Sequence, residues 1–115
     1  MTGSIPQSKA EATLRALRIR FRAESWSIVD VFRRLATEVA ANPALPEVID
    51  RLTREAHRVH GTAGSFGFRR ASTIAAVLEE RAIAWGADAA FEVSERGNAV
   101  AEFARELERS FAEEI

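Results

Sequence analysis

The amino-acid sequence predicts an all-α protein, an antiparallel up-down four-helix bundle with an additional N-terminal helix. Apolar residues recur at three- and four-residue spacing along several long segments, as in helices with one buried face. Proline and glycine lie at the junctions between these segments, where they end helices. No stretch alternates apolar with polar residues, and no Asn-Gly or Asp-Gly pair marks a hairpin, so strands are not expected.

The first helical segment begins at a capping-box pattern, Ser8-x-x-Glu11, and ends before the proline-rich run 42–46. The run Ser25-Trp26-Ser27 is a candidate break within it. The part up to about residue 24 would then be the additional helix, which caps one end of the bundle or extends the next helix. One continuous helix from about residue 8 to 41 remains an alternative. Residues 1–7 are polar and predict a disordered tail, so the bundle domain would span residues 8–115.

Three further helices are predicted after the proline-rich run. The second runs from about residue 46 to 65 and has Gly67 as its C-terminal cap. The third spans about residues 69 to 85. The last spans about residues 89 to 113, with Asp88 as its N-cap and Phe91 among its inward residues. Gly97 lies inside this last helix, and no sequence pattern accounts for it.

Length and composition fit one globular domain of 115 residues, 47% hydrophobic and 29% charged. The net charge of -1 and the lack of a basic run argue against nucleic acid as a partner. The absence of cysteine excludes disulfides, thiolate metal sites and cysteine nucleophiles. Apolar runs are too short to span a bilayer and no signal-like N-terminus is visible, so we expect no membrane association and a cytoplasmic location.

Both histidines lie on the second predicted helix. At about 100° per residue, one apolar arc collects the inward positions of that helix, namely Leu45, Val48, Ile49, Leu52, Ala56, Val59, Ala63 and Phe66. His57 points about 135° away from the centre of this arc, toward solvent. Gly61 and Gly64 lie within roughly 40° of His57, which predicts a notch free of side chains beside the imidazole. His60 would lie at the border of the core.

An exposed imidazole can act as a general base, a metal ligand or a covalent carrier. A general base needs further catalytic groups, and none occurs at a defined spacing. A metal site would need at least one ligand besides the two histidines, which diverge by about 60° around the helix. No third histidine and no HExxH motif is present, so we expect no metal site. A carrier needs an exposed nucleophile, open access and a rigid scaffold, and the sequence offers all three. An ordinary surface histidine, and glycines that serve helix packing, are the alternatives.

The run 57–67, HRVHGTAGSFG, resembles the signature of histidine-containing phosphotransfer (HPt) domains of bacterial phosphorelays. Val59, Gly61, Ala63 and Gly67 match that signature in register with His57. The pair Leu78-Glu79 and the overall length agree with the same resemblance. The resemblance implies that His57 is the phosphoacceptor, through Nε2, and that Gly61 and Gly64 give a partner access to it.

The resemblance also implies a relay between receiver-domain aspartates through a phosphohistidine. The partners would be response-regulator receiver domains, a hybrid histidine kinase, or both. The chain would be a phosphocarrier and not an enzyme, with no cofactor of its own, and Mg²⁺ would be bound by the receiver domain only. We expect a monomer, although a dimer through the first helical segment remains open. The alternative function is a helical interaction module that binds a receiver or kinase without being phosphorylated.

One departure from the family pattern concerns the position three residues after the phosphorylated histidine. Many members carry Lys or Arg there, whereas this chain has His60. A neutral imidazole would help a phosphoryl group less than a fixed positive charge would. His60, Arg54 and Arg58 are therefore candidate contacts of the phosphoryl site, and Arg69 or Arg70 are further candidates for the missing cation.

Overall fold

The computed structural model describes residues 8–114, which form four α-helices and no strand. The helices are α1 (Lys9–Ala41), α2 (Pro46–Ser65), α3 (Arg69–Ala87) and α4 (Arg96–Glu114). The most extensive packing joins α2 to α3 and α1 to α4. Both pairs run antiparallel, because the start of the later helix contacts the end of the earlier one and residues farther along it contact positions nearer the start of the earlier one. The prediction of an all-α four-helix bundle is thus confirmed. The predicted tail at residues 1–7 lies outside the described residues, and none of the described helices is long and apolar enough to cross a membrane.

The prediction of an additional N-terminal helix is wrong, because α1 is one continuous helix of 33 residues. It starts where the capping box predicts, with the Ser8 hydroxyl accepting the backbone N–H of Glu11 at 3.2 Å. At the predicted break, the hydroxyl of the buried Ser25 donates to the carbonyl of Arg22 at 2.8 Å. Since the helix itself supplies an acceptor for this hydroxyl, the serine does not interrupt it.

The N-terminal part of α1 projects beyond the other helices. A helix of this length extends about 50 Å, whereas helices of 19 or 20 residues extend about 30 Å. Leu14 and Ile19 lie on this projection and are exposed, although the helical spacing of Leu14 predicts an inward position. Where α1 enters the bundle, four phenylalanine rings pack against one another with centroids 5.1 to 6.4 Å apart, namely Phe21, Phe66, Phe68 and Phe111.

The C-terminus of α2 ends as predicted at Gly67, whose φ of 85° is in the left-handed region. The Gly67 N–H donates to the carbonyl of Gly64 at 3.2 Å, and the Phe68 N–H donates to the carbonyl of Ala63 at 2.8 Å. These two bonds form a Schellman motif, in which a glycine in the left-handed conformation satisfies the last carbonyls of the helix. The turn directs α3 back along α2 and thereby sets which residues of the two helices face each other.

The predicted start of the last helix at about residue 89 is wrong, since α4 begins at Arg96. Residues 89–95 form consecutive turns, and the Phe91 side chain, which was expected to face inward, is exposed. The guanidinium of the fully buried Arg96 donates to the carbonyls of Asp88, Ala89 and Phe91 at 2.7 to 3.2 Å. In a helix these carbonyls would accept from backbone N–H groups four residues later, so the Arg96 side chain takes the place of those partners.

Gly97 has a packing role that the sequence did not indicate. A Cβ at this position would lie 2.6 Å from Cβ and 2.8 Å from Cα of Ala40 on α1. These distances are shorter than van der Waals contact, so any side chain would push α1 and α4 apart. The glycine is therefore explained by the close approach of two helix backbones, despite its cost to the helix.

Candidate functional site

The face of α2 that packs into the core matches the predicted arc at six positions, namely Val48, Ile49, Leu52, Ala56, Val59 and Ala63. Leu45 is exposed and Phe66 is half-buried, so both ends of the predicted arc are less buried than expected. His57 lies on the opposite side of the helix, with 74% of its side chain exposed. The imidazole is consequently open to a partner from solvent.

Glu79 of α3 contacts both histidines. One of its carboxylate oxygens lies 2.6 Å from Nδ1 of His57, and the other lies 3.1 Å from Nδ1 of His60. The Glu79 side chain is only 17% exposed, since it lies along the contact between α2 and α3. Buried alanines line this contact, which lets the two helices approach closely, as at Ala56 and Ala75. The carboxylate is thus held beneath the two imidazole rings.

The charge on Glu79 sets the tautomer of both rings. Burial alone raises the pKa of the Glu79 carboxyl, but the hydrogen bonds from His60 and His57 outweigh it and hold the pKa below its ordinary value. An ionised carboxylate can only accept hydrogen bonds, so each Nδ1 must carry the proton of its bond. In a neutral ring the other nitrogen, Nε2, then holds an unshared electron pair.

The two glycines near His57 differ in their surroundings. A Cβ added at Gly61 would meet nothing within 4 Å, so this position faces open space. A Cβ at Gly64 would lie 3.0 Å from the hydroxyl of Ser72 on α3, and that hydroxyl donates to the carbonyl of His60 at 2.9 Å. Gly64 therefore lies at a close contact between helices, and the predicted notch is formed by Gly61. A role for either glycine in partner access stays a prediction.

The four arginines that are candidate cations differ in their distance from His57 and in whether they already form an ion pair. Arg54 is exposed one turn before His57 and makes no ion pair with any residue that the structure describes. Arg58 is paired with Glu55 at 2.7 Å. Arg69 and Arg70 begin α3 beyond the C-terminus of α2, which lies about 12 Å along the helix from His57. Arg70 is further occupied by an ion pair with Glu113. Among the four arginines, Arg54 combines proximity in the helix with a free guanidinium.

The structure also brings a third potential metal ligand, Glu79, to the two histidines. One ligand atom each from His57, His60 and Glu79 lies within 4.8 Å of the others. Within residues 8–114 this is the one cluster of three or more His, Asp or Glu side chains with such spacing. The histidine-to-glutamate pairing joins two helices, so a search for ligand spacing along one helix does not find it.

The comparison with protein families agrees with this site. Residues 16–113 match the family model of the Hpt domain. No curated protein and no solved structure gave a significant match. Hpt domains are helical phosphocarriers in two-component signalling and interact with receiver domains and histidine kinases. The matched region is nearly the whole chain and includes both helices of the histidine site, and the chain therefore belongs to the Hpt domain family.

Proposed function

We propose that the chain relays a phosphoryl group from the aspartyl phosphate of one receiver domain to the aspartate of another, through a phosphohistidine on Nε2 of His57. The observation that supports this function is the arrangement of the imidazole. The His57 side chain is 74% exposed while its Nδ1 is hydrogen-bonded to Glu79 at 2.6 Å. An exposed imidazole whose Nδ1 proton is fixed by a carboxylate presents the Nε2 electron pair to a partner, as a nucleophile requires.

The transfer step needs only one nucleophile from this chain. The electron pair of His57 Nε2 forms a bond to phosphorus, while the bond from phosphorus to the aspartyl oxygen breaks and leaves its electron pair on the carboxylate. The ring becomes positively charged as the bond forms, and the ionised Glu79 next to Nδ1–H stabilises that charge. A receiver domain would bring its own Mg²⁺, so this chain would contribute positioning and no cofactor.

The proposed function is tested by mixing the purified chain with a receiver domain labelled on its aspartyl phosphate. We expect label on the chain that is labile in acid and stable in base, as a phosphoramidate is, and its loss when a second receiver is added. The alternative, an interaction module without phosphotransfer, predicts a complex with the receiver and no label on the chain.

A Glu79→Gln variant is expected to accept the phosphoryl group about tenfold more slowly than the wild type, or slower still. The amide has no charge to stabilise the imidazolium. Its NH₂ group can also donate to Nδ1, which leaves the ring proton on Nε2, where the electron pair is needed. The rate is measured in a single turnover with a phosphorylated receiver. Glu80→Gln is the matched control, because Glu80 is the exposed neighbour on the same helix, and an equal rate in both variants would contradict the role of Glu79.

An Arg54→Ala variant is expected to react roughly three- to tenfold more slowly at low ionic strength, with the difference disappearing at high salt. Arg54 is exposed beside the site and unpaired within the described part of the chain, so its charge is available to an acidic receiver surface and to the phosphoryl group. Arg34→Ala on α1, which removes an exposed arginine paired with Asp30, is the control. An unchanged rate and an unchanged lifetime of the phosphohistidine would exclude Arg54 as the missing cation.

A further inference from the structure

We propose that His57, His60 and Glu79 form a chelating site for a divalent transition-metal ion of the Zn²⁺ class. The two Nδ1 atoms lie 2.6 and 3.1 Å from the carboxylate oxygens of Glu79, and one ligand atom from each residue lies within 4.8 Å of the other two. Nothing in the helical signature of residues 57–67 requires this arrangement, because it depends on the position of α3.

The spacing of the three groups fits the coordination distances of such an ion. Zinc binds imidazole nitrogen and carboxylate oxygen at about 2.0 to 2.2 Å, so ligand atoms around a tetrahedral ion lie about 3.3 Å apart. The two Nδ1 atoms lie 2.6 and 3.1 Å from different oxygens of Glu79, and one ligand atom from each of the three residues lies within 4.8 Å of the other two, so small side-chain rotations would bring all three to one ion. The ion would replace the Nδ1 protons that now point at the carboxylate. The exposure of His57 and His60, 74% and 45% of their side chains, leaves a fourth position open to water.

The chemistry of the ligands selects the class of ion. Two imidazoles with one carboxylate suit zinc, copper, nickel and cobalt, whereas Mg²⁺ and Ca²⁺ prefer oxygen ligands throughout. The chain contains two histidines and no cysteine, so no second imidazole or thiolate site can compete for the ion. The carboxylate is mostly buried between α2 and α3 and the backbone of His60 is held by Ser72, which places the ligands before the ion arrives.

Occupancy of this site would block phosphorylation, a consequence that rests on the function proposed above. A neutral imidazole bound to a metal ion through Nδ1 carries its one proton on Nε2. The Nε2 electron pair is then used in the N–H bond and cannot attack phosphorus. The metal ion and the phosphoryl group are therefore alternative occupants of His57, and the ion would act as an inhibitor of the relay.

Metal binding is tested directly by titrating the metal-free protein with Zn²⁺ in competition with a chromophoric chelator. We expect one ion per chain, no displacement by Mg²⁺, and affinity weakened by more than about tenfold in His60→Gln and in Glu79→Gln. Glu80→Gln is the control and should bind as the wild type does. Binding weaker than about 100 µM in the wild type, a Kd that corresponds to ordinary surface groups, would overturn the proposal. Equal affinity in the wild type, His60→Gln and Glu79→Gln would overturn it as well.

The inhibition is tested separately from the function. Label transfer from a phosphorylated receiver is measured with and without Zn²⁺, and the receiver alone is exposed to the same Zn²⁺ to record its own phosphate loss. We expect Zn²⁺ to suppress labelling of the wild type, and a higher Zn²⁺ concentration to be needed for His60→Gln relative to its own metal-free rate. Zinc binding with undiminished labelling would overturn the inhibition. Absence of labelling without metal would instead overturn the proposed function and leave the binding result standing.

Discussion

A His57→Gln variant is expected to take up no acid-labile label from a phosphorylated receiver, a loss on the order of a thousandfold or more relative to the wild type. Glutamine is similar in length and can still hydrogen-bond to Glu79, but its amide nitrogen is conjugated with the carbonyl and offers no electron pair to phosphorus. The variant side chain is exposed like His57 itself, so the fold should be unaffected. The measurement is label on the chain after denaturing electrophoresis, beside the far-UV circular dichroism of each variant.

His60→Gln is the matched control for this experiment. Both histidines bind Glu79 through Nδ1, so both leave Nε2 without a proton in the neutral ring. They differ in access, since 74% of the His57 side chain is exposed and 45% of that of His60. Gly61, on the solvent side of α2, leaves open space near His57. We expect label on His60→Gln, and label on His57→Gln with none on His60→Gln would mean that the phosphoacceptor has been assigned to the wrong histidine.

The outward direction of His57 could be predicted from the sequence because it depends on a single helix. Six of the eight apolar positions assigned to the arc of α2 are buried, and the histidine lies opposite to them. The end of the helix at Gly67 could be predicted as well, since a glycine that ends a helix in the left-handed conformation has a local sequence signature. Properties that arise within one helix are specified by the residues of that helix alone, and the sequence displays them directly.

Glu79 and Gly97 could not be predicted in this way because each acts across two helices. Glu79 faces His57 only because the turn at residues 66–68 pairs position 79 with position 57, and the required register is not visible on either helix alone. Gly97 is required by the backbone of Ala40, far away in the sequence. The pair Leu78-Glu79 belonged to the family resemblance. His57 lies ten residues before Gly67 and Glu79 twelve residues after it, so two helices that turn back at Gly67 would place these residues opposite each other.

The start of α4 was misplaced for a different physical reason. Phe91 has a helical spacing to later apolar residues, but periodicity does not reveal which groups satisfy the backbone. The carbonyls of Asp88, Ala89 and Phe91 are bound by the side chain of Arg96, and Glu92 takes a φ of 54°, a left-handed conformation that an α-helix does not contain. The Glu92 carboxylate accepts from Nε1 of Trp85 at 3.0 Å, which fixes the turns against α3. A buried arginine with backbone partners has no sequence signature.

An Arg96→Met variant is expected to lower the free energy of unfolding by about 3 kcal/mol or more, the largest loss of stability that we expect from one substitution in this chain. Arg96 is fully buried, and its guanidinium donates to the carbonyls of Phe91, Asp88 and Ala89 in the turns, and also to Pro43 between α1 and α2. Methionine fills a similar volume but donates no hydrogen bond, so all four carbonyls would lose this donor, although that of Asp88 would keep the backbone N–H of Phe91 at 3.1 Å.

Two comparisons distinguish the backbone hydrogen bonds of Arg96 from its charge and its volume. Arg96→Lys keeps the charge but cannot donate from a rigid fork to several carbonyls at once, so it should lose most of the same stability. Arg105→Met removes an exposed arginine of α4 that is paired with Glu102, and it should change stability by no more than about 0.5 kcal/mol. Urea unfolding followed by circular dichroism measures all three variants. If Arg96→Met is as stable as Arg105→Met, the hydrogen bonds of Arg96 contribute nothing to stability. The carbonyls would then have found other donors at no cost, and packing alone would hold the turns before α4.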